Sequence, residues 1–359
     1  MIRWRRGEVA RIRREWSGAM EIEVSTEEGV VRALAYPALV GRPEPGDTVL
    51  LNTTALAMGL GTGGYAMVVA LPNRLPKDPQ GPGHLVKARY TPLQATVLGA
   101  DEQDSPFHEV LREADSLDGM PVVVADLHSA LPAILSGLYG SRPEGHEEVR
   151  VAYVMLDGGA LPAWFSMSCA RLRETGWLDG VVTVGQAFGG DVEAVTLHTG
   201  LLAARHVMNA DVAVVTQGPG NLGTGTRWGF SGVSAGEAVN AASVLGGRPV
   251  AALRVSEGDL RKRHIGVSHH SLTAYGRVAL APAQVVVPEL PGDFGRRVAE
   301  QCAPLAVRHE LVGVPVEGLY EALADCPVRL STMGRGLDED LAYFLASAAA
   351  GRHAASLLS

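Results

Sequence analysis

The side chains with the clearest chemical potential fall into three short stretches. The segment "RHIGVSHHSLTAYG" supplies His264, His269 and His270. Imidazoles titrate near neutrality and serve as general bases or as metal ligands. "VVVADLHS" sets Asp126 and His128 directly after an apolar run, and "AYVMLDGG" does the same with Asp157. The third stretch, "TQGPGNLGTGTRWGFSG", follows the apolar "DVAVV". In it Gly218, Gly220 and Gly223 satisfy G-x-G-x-x-G, and Gln217, Asn221, Thr224, Gly225 and Arg227 lie around them. Successive glycines leave backbone N–H groups free to face an anion. Arg227 adds a bidentate partner for phosphate or carboxylate.

The bare glycine motif does not make a dinucleotide site. There the third glycine lies inside a helix whose N-terminus faces the pyrophosphate. Here Ser234 and Glu237 form a capping-box pattern that starts the helix well beyond Gly223. The next strand, "PVAALRVS", ends in Arg254 and Ser256 rather than in a ribose-binding carboxylate. No Gly-Lys-Ser/Thr follows for a Walker A loop, and no G-x-S-x-G marks a nucleophile elbow. Asp126-x-His128 is similar to the opening motif of calcineurin-like metallophosphoesterases. The remaining motifs of that family are missing, so the assignment is rejected. A capping Asp and a surface His stay open as the plain reading of that pair. His198 and His206 read as residues of a helix face.

These side chains need a frame. The first seventy residues hold short strand patterns such as "GEVARIR", "AMEIEVST" and "DTVLLN", separated by Gly, Pro and Asp. They predict a small barrel of OB or SH3-like kind over residues 1–72. A Pro/Gly-rich linker follows at 73–84. From 85 to 359 apolar strands alternate with helical patterns, which predicts a Rossmann-like domain, three-layered, mostly parallel and doubly wound. "DVEAVTLHTGLLAARHVMN" reads as one helix, and Asp338, Glu339 and Asp340 read as the first turn of the last helix. If the sheet is doubly wound, Asp126, His128, Asp157, Gln217 and Ser256 gather at its C-terminal edge, where open α/β sheets bind ligands.

Composition limits the partners. The chain of 359 residues carries a net charge of −8, so general affinity for nucleic acid is not expected. One local exception, "MIRWRRGEVARIRREW", gathers six arginines around Trp4 and Trp16. It is a basic patch with stacking rings or a solvated strand face. Three widely spaced cysteines without a C-x-x-C pair argue against a disulfide frame or a cysteine zinc site. No apolar run is long enough to span a bilayer, and a cytoplasmic location with no membrane partner is expected. A homodimer is compatible with the sequence, and no cofactor or metal is identified by it.

Taken together, "LNTTALAMGLGTGGYAMVVA", "GHLVKARYTPLQ", "QGPGNLGTGTRWGFSG" and "RHIGVSHHSLTAYGRV" resemble a bacterial family of uncharacterised proteins, the domain of unknown function 3866 family. The resemblance implies a shared architecture over nearly the whole chain. It implies no catalytic residue.

The functional expectation is an enzyme or small-molecule binder for an anionic, phosphate- or carboxylate-bearing ligand. Asp126, His128, Asp157, His269 and His270 are the candidate catalytic groups. Gln217, Gly218, Gly220, Asn221, Gly223, Thr224, Gly225, Arg227 and Ser256 are the candidate ligand contacts. The alternative is an interaction module that binds a nucleic acid or protein through the Arg/Trp-rich barrel.

Overall fold

Period-two alternation at the start of the chain closes into a barrel. The computed structural model describes residues 1–145 and 148–358, and contacts divide them into two units. The first unit comprises residues 1–97 with 164–170. Its strands are β1 (Trp4–Trp16), β2 (Ala19–Thr26), β3 (Gly29–Ala35), β4 (Thr48–Asn52) and β5 (Ala66–Ala70). One-turn helices α1 (Pro37–Val40) and α2 (Thr54–Ala57) interrupt them. The strands close in the order β1-β2-β3-β5-β4. The β3–β5 pair is parallel and the other pairs are antiparallel. Of the two small-barrel forms expected, this five-stranded closed ring matches the OB form. Val9, Ile22, Val24, Ala33, Val49, Leu51, Ala66 and Val68 fill the interior. The hairpin β6 (Leu85–Lys87) and β7 (Ala95–Val97) follows.

Five of the six arginines in the first sixteen residues are matched by acids. Arg3 and Arg5 bind Glu28, and Arg11 and Arg13 bind Glu23. The carboxylate of Glu21, fully buried, takes Arg13 and Arg14 at 3.2 and 2.8 Å and accepts from the Tyr65 hydroxyl. The Trp16 indole N–H donates to Trp164 O.

The second unit comprises residues 98–163 and the chain from Arg171 onward. After a short α3 (His108–Arg112) come β8 (Pro121–Val124), α4 (Ala130–Tyr139), β9 (Val151–Leu156), α5 (Met167–Glu174, whose first four residues belong to the first unit), β10 (Gly180–Thr183) and β11 (Val192–Glu193). Then follow α6 (Leu197–His206), β12 (Val212–Gln217), α7 (Ser234–Val244), β13 (Arg248–Ala252), a ribbon of β14 (Val255–Ser256) and β15 (Gly266–Val267), and α8 (His269–Thr273). The tail holds β16 (Gln284–Glu289), α9 (Gly292–Cys302), β17 (Glu310–Pro315), α10 (Leu319–Ala324), the ribbon β18 (Ser331–Thr332) and β19 (Arg335–Gly336), and α11 (Leu341–Ser356).

Eight strands form one all-parallel sheet in the order β11-β10-β9-β12-β8-β13-β16-β17. Every residue of β8, β9 and β12 is buried. A strand apolar on both faces needs cover on both, and helices supply it. Val122, Val124, Ala213, Val215 and Ala251 share one core with Leu201, Ala238, Val239 and Val298 of α6, α7 and α9. α11 lies against β8, β13 and β16 and packs on α4. That crossing is close. A Cβ at Gly137 would stand 1.8 Å from Ala348 O, and one at Gly351 would stand 1.9 Å from Ile134 O. α11 is buried on all sides, in keeping with its apolar circumference.

The strand order sets where a ligand can lie. From β8 the chain moves outward through β9 and β10 to the β11 edge. It returns to β12, between β9 and β8, and then moves through β13 and β16 to the opposite edge. The direction of winding reverses around β8, β12 and β13, and open α/β sheets bind ligands at the C-terminal ends of such strands.

Four local expectations are corrected. The helix expected from Asp191 begins only at Leu197, because Val192–Glu193 pairs with β10 as an edge strand and Thr196 caps the helix by accepting from Thr199 N–H. "PVAALRVS" is not one strand. β13 ends at Ala252, and Val255–Ser256 turns off into the ribbon with Gly266–Val267. The capping box at Ser234 does not form. The chain enters α7 through a 3-10 turn over Ser231–Val233, so Ser234 is already helical and its hydroxyl donates to Ser231 O. Similarly Asp338 and Glu339 precede α11, with Asp340 at its N-cap. No helix among the described residues is long and apolar enough to cross a membrane.

Candidate functional site

Polar side chains converge where β8, β12 and β13 end. Asp126, 4% exposed, projects just past β8. Its Oδ2 lies 3.5 Å from His270 Nδ1 and 3.9 Å from the Arg254 guanidinium, and it has no hydrogen-bond partner. Gln217, the last residue of β12, donates from Nε2 to Asp126 O and to Asn221 Oδ1, both at 2.9 Å. Its Oε1 is buried and unpartnered. Ser231 also donates to Asn221, at 3.0 Å. Gly232 then passes so close that a Cβ there would meet Asp126 O at 2.9 Å. A buried polar atom with no partner costs on the order of 1–3 kcal/mol, so each of these two calls for an explanation.

Arg254, 3% exposed, sits between two carboxylates. Its guanidinium is 3.9 Å from Asp126 and 3.7 Å from Asp259. Burial works against the Asp259 charge. The hydrogen bonds and charge of Arg261 outweigh that and hold its carboxyl well below the usual range. Helix α8 is followed by a π-turn over Ala274–Val278, a bulge frequent at functional sites. From it the Tyr275 hydroxyl bridges Val124 O and Ala252 O at 2.8 and 3.1 Å, tying the ends of β8 and β13 together.

The histidines stack over this floor. The Ser268 hydroxyl lies 2.7 Å from His264 Nδ1 and accepts from His270 N–H, so one residue caps α8 and orients a ring. His264 and His269 have ring centroids 5.1 Å apart, and His269 and His270 are at 4.4 Å. His269 Nε2 is buried without a partner. Phe230, at the end of the glycine loop, stacks on His270 with centroids 3.8 Å apart and planes 2° apart. Burial, followed by the charges of Arg254 and Arg261, pushes His264 down to about 3. Burial and the neighbouring His270 push His269 down to about 4. Both rings are therefore neutral at pH 7.

The other predicted residues lie beside this cluster or face away from it. His128 Nδ1 is 2.9 Å from the Tyr153 hydroxyl, which also meets Thr216 Oγ1. Asp157 is exposed and accepts from Gln186 N–H, in the loop after β10. The Ser256 hydroxyl donates to Asp340 at 2.7 Å and accepts from Asp259 N–H. In the glycine loop Gly220 and Gly225 adopt left-handed backbone, and Gly218 and Gly223 do not. The loop folds back on itself through a Gly223–Phe230 bridge, and Thr224 N–H donates to Gly229 O. Arg227 is exposed, and the Arg263 guanidinium comes 3.8 Å from the position of a Cβ on Gly225.

Sequence reasoning missed Arg254, Asp259 and Phe230 as members of the cluster. Arg254 carried a signal, a charge inside an apolar run. Asp259 and Phe230 carried none. A separate cleft of about 480 Å³, lined by residues including Leu323, Cys326, Arg329, Leu330, Asp338 and Glu339, contains none of the predicted residues.

Barrel, parallel sheet and this buried His/Asp/Arg cluster define a mixed α/β protein with a polar site at the sheet's C-terminal edge. The profile of a family described as "Protein of unknown function (DUF3866)" matches residues 32–351, and the chain belongs to that family. No curated protein matches the sequence.

Proposed function

We propose that the protein binds a small anionic ligand, bearing phosphate or carboxylate, at the C-terminal edge of the sheet and acts on it through the Asp126–His270 pair. The observation that carries this reading is the group of buried, unpartnered polar atoms at the winding reversal: Asp126 Oδ2, Gln217 Oε1 and His269 Nε2. Donor groups of a ligand would satisfy the two oxygens. Its charge would meet Arg227 and Arg263 on the loop side. With His270 within 3.5 Å, Asp126 can stabilise an imidazolium that forms as the ring takes a proton. The paired arginines of the barrel leave the interaction-module reading without a supporting observation.

The test is a thermal-shift screen of phosphorylated and carboxylated metabolites against the parent protein and Arg227→Ala. The expected outcome is at least one anion that raises the parent Tm, with a smaller rise in the variant. Equal responses of both proteins to every anion would overturn the reading.

A further inference from the structure

We infer that His264, His269 and His270 form a binding site for one divalent transition-metal ion of the zinc class, held in orientation by Ser268 and Asp126. One ring nitrogen from each of the three histidines lies within 4.8 Å of the others. Tetrahedral bonds of about 2.1 Å would bring them to about 3.4 Å, a contraction of up to about 1.4 Å that side-chain rotation would have to supply. Imidazole suits zinc, copper, nickel and iron over magnesium or calcium.

The direction of each ring favours the site, as does their proximity. His264 Nδ1 is engaged by Ser268, which leaves Nε2 for the metal. His269 Nε2 is the buried nitrogen without a partner. His270 Nδ1 faces Asp126 at 3.5 Å, which likewise leaves Nε2. Ligation through Nε2 fixes the His270 proton on Nδ1, pointing at the unpartnered Asp126 Oδ2. A histidine that ligates with one nitrogen and donates from the other to a carboxylate is the usual outer shell of a metal site. One bound ion would thus give two orphaned atoms a role. In the competing arrangement Arg254, 3.3 Å away, donates to His270 Nδ1, which puts the proton on Nε2 and blocks ligation. The two arrangements differ by one proton position, and Asp126 selects between them. Three imidazoles leave a fourth tetrahedral position for water or for an oxygen of an anion. The site does not require the anion reading above; with Nε2 on the ion, His270 would hold the metal and would not take a proton.

The test uses tag-free, chelator-treated full-length protein and cobalt(II) or zinc(II) alone. The expected result is one cobalt per chain, with the visible absorption of a tetrahedral or five-coordinate centre. His269→Ala should abolish it while keeping the parent far-UV circular dichroism. Asp126→Asn should weaken binding about 10- to 100-fold. X-ray absorption on the zinc-loaded parent should show three imidazole nitrogens at about 2.0–2.1 Å, a measurement that does not depend on any variant folding. No uptake by folded parent protein, or a zinc shell without imidazoles, would overturn the inference. So would a cobalt spectrum unchanged in folded His269→Ala. Metal uptake without any anion response would leave this site standing and remove the reading above. An anion response without metal uptake would do the reverse.

Discussion

At the residue scale, His128 shows how burial sets a protonation state. Its ring is partly buried against Tyr153, and burial pushes its pKa down to about 4. In the unfolded chain a histidine titrates near 6.5. The folded state therefore binds fewer protons than the unfolded state between those values. The resulting stability is complete above about pH 6.5 and is lost as pH falls toward about 4. Its size is at most about 3 kcal/mol. Urea unfolding of the parent and His128→Gln at about pH 7 and pH 4 measures it, because glutamine keeps a polar partner for Tyr153 and does not titrate there. The parent should lose up to about 3 kcal/mol more than the variant over that interval. Parallel losses would mean that His128 is not held neutral by the fold. In the sequence Asp126 stood out as a carboxylate directly after an apolar run, and His269 and His270 as paired imidazoles in a loop. Arg254 was harder to place. Only the turn-off of β14 from β13 makes it a buried cation between two carboxylates instead of a strand terminus.

At the scale of elements, legibility followed how local each signal was. β8, β9 and β12 were readable because each is a continuous apolar run buried on both faces. β11 was not, since two residues held by pairing to β10 leave no periodicity. The capping pattern at Ser234 was a true local motif overridden by its entry turn, which places Ser234 inside the helix. The α4–α11 crossing was invisible because it joins residues more than two hundred positions apart. It nevertheless yields a sharp expectation. Gly351→Ala must push a methyl into Ile134 O, a backbone atom that cannot rotate away. Overpacking of this kind costs about 1–3 kcal/mol, more than the helix propensity gained by removing a glycine. Chemical denaturation should show Gly351→Ala and Gly137→Ala each destabilised by about that amount, with the double variant less than additive because both act on one crossing. A stabilised Gly351→Ala would show that the helices can separate at no cost.

At the scale of the whole molecule, the question is what the charge distribution can attract. The chain is net acidic at −8, and five of the six arginines in its basic N-terminal segment are spent on its own acids. Arg3 and Arg5 share Glu28, Arg11 and Arg13 share Glu23, and Arg13 and Arg14 close on the buried Glu21. The hydrogen bond from Arg11, joined by that from Arg13, outweighs the opposing effect of burial and holds the Glu23 carboxyl down at about 2, so the pairing persists across the working pH range. Phosphate binding by a protein requires cations free to release condensed counterions, and each pair already formed removes one. The barrel as folded should therefore give no gel shift with a single-stranded oligonucleotide even at low salt. Exchanging Glu23 and Glu28 for Gln should free Arg3, Arg5 and Arg11, while Arg13 and Arg14 stay paired with the buried Glu21. That variant should acquire weak binding that falls as salt rises, with a slope set by about three phosphate contacts. Tight, salt-sensitive binding by the parent would instead show that the glutamates yield to phosphate, and that the barrel's arginines are a binding surface after all.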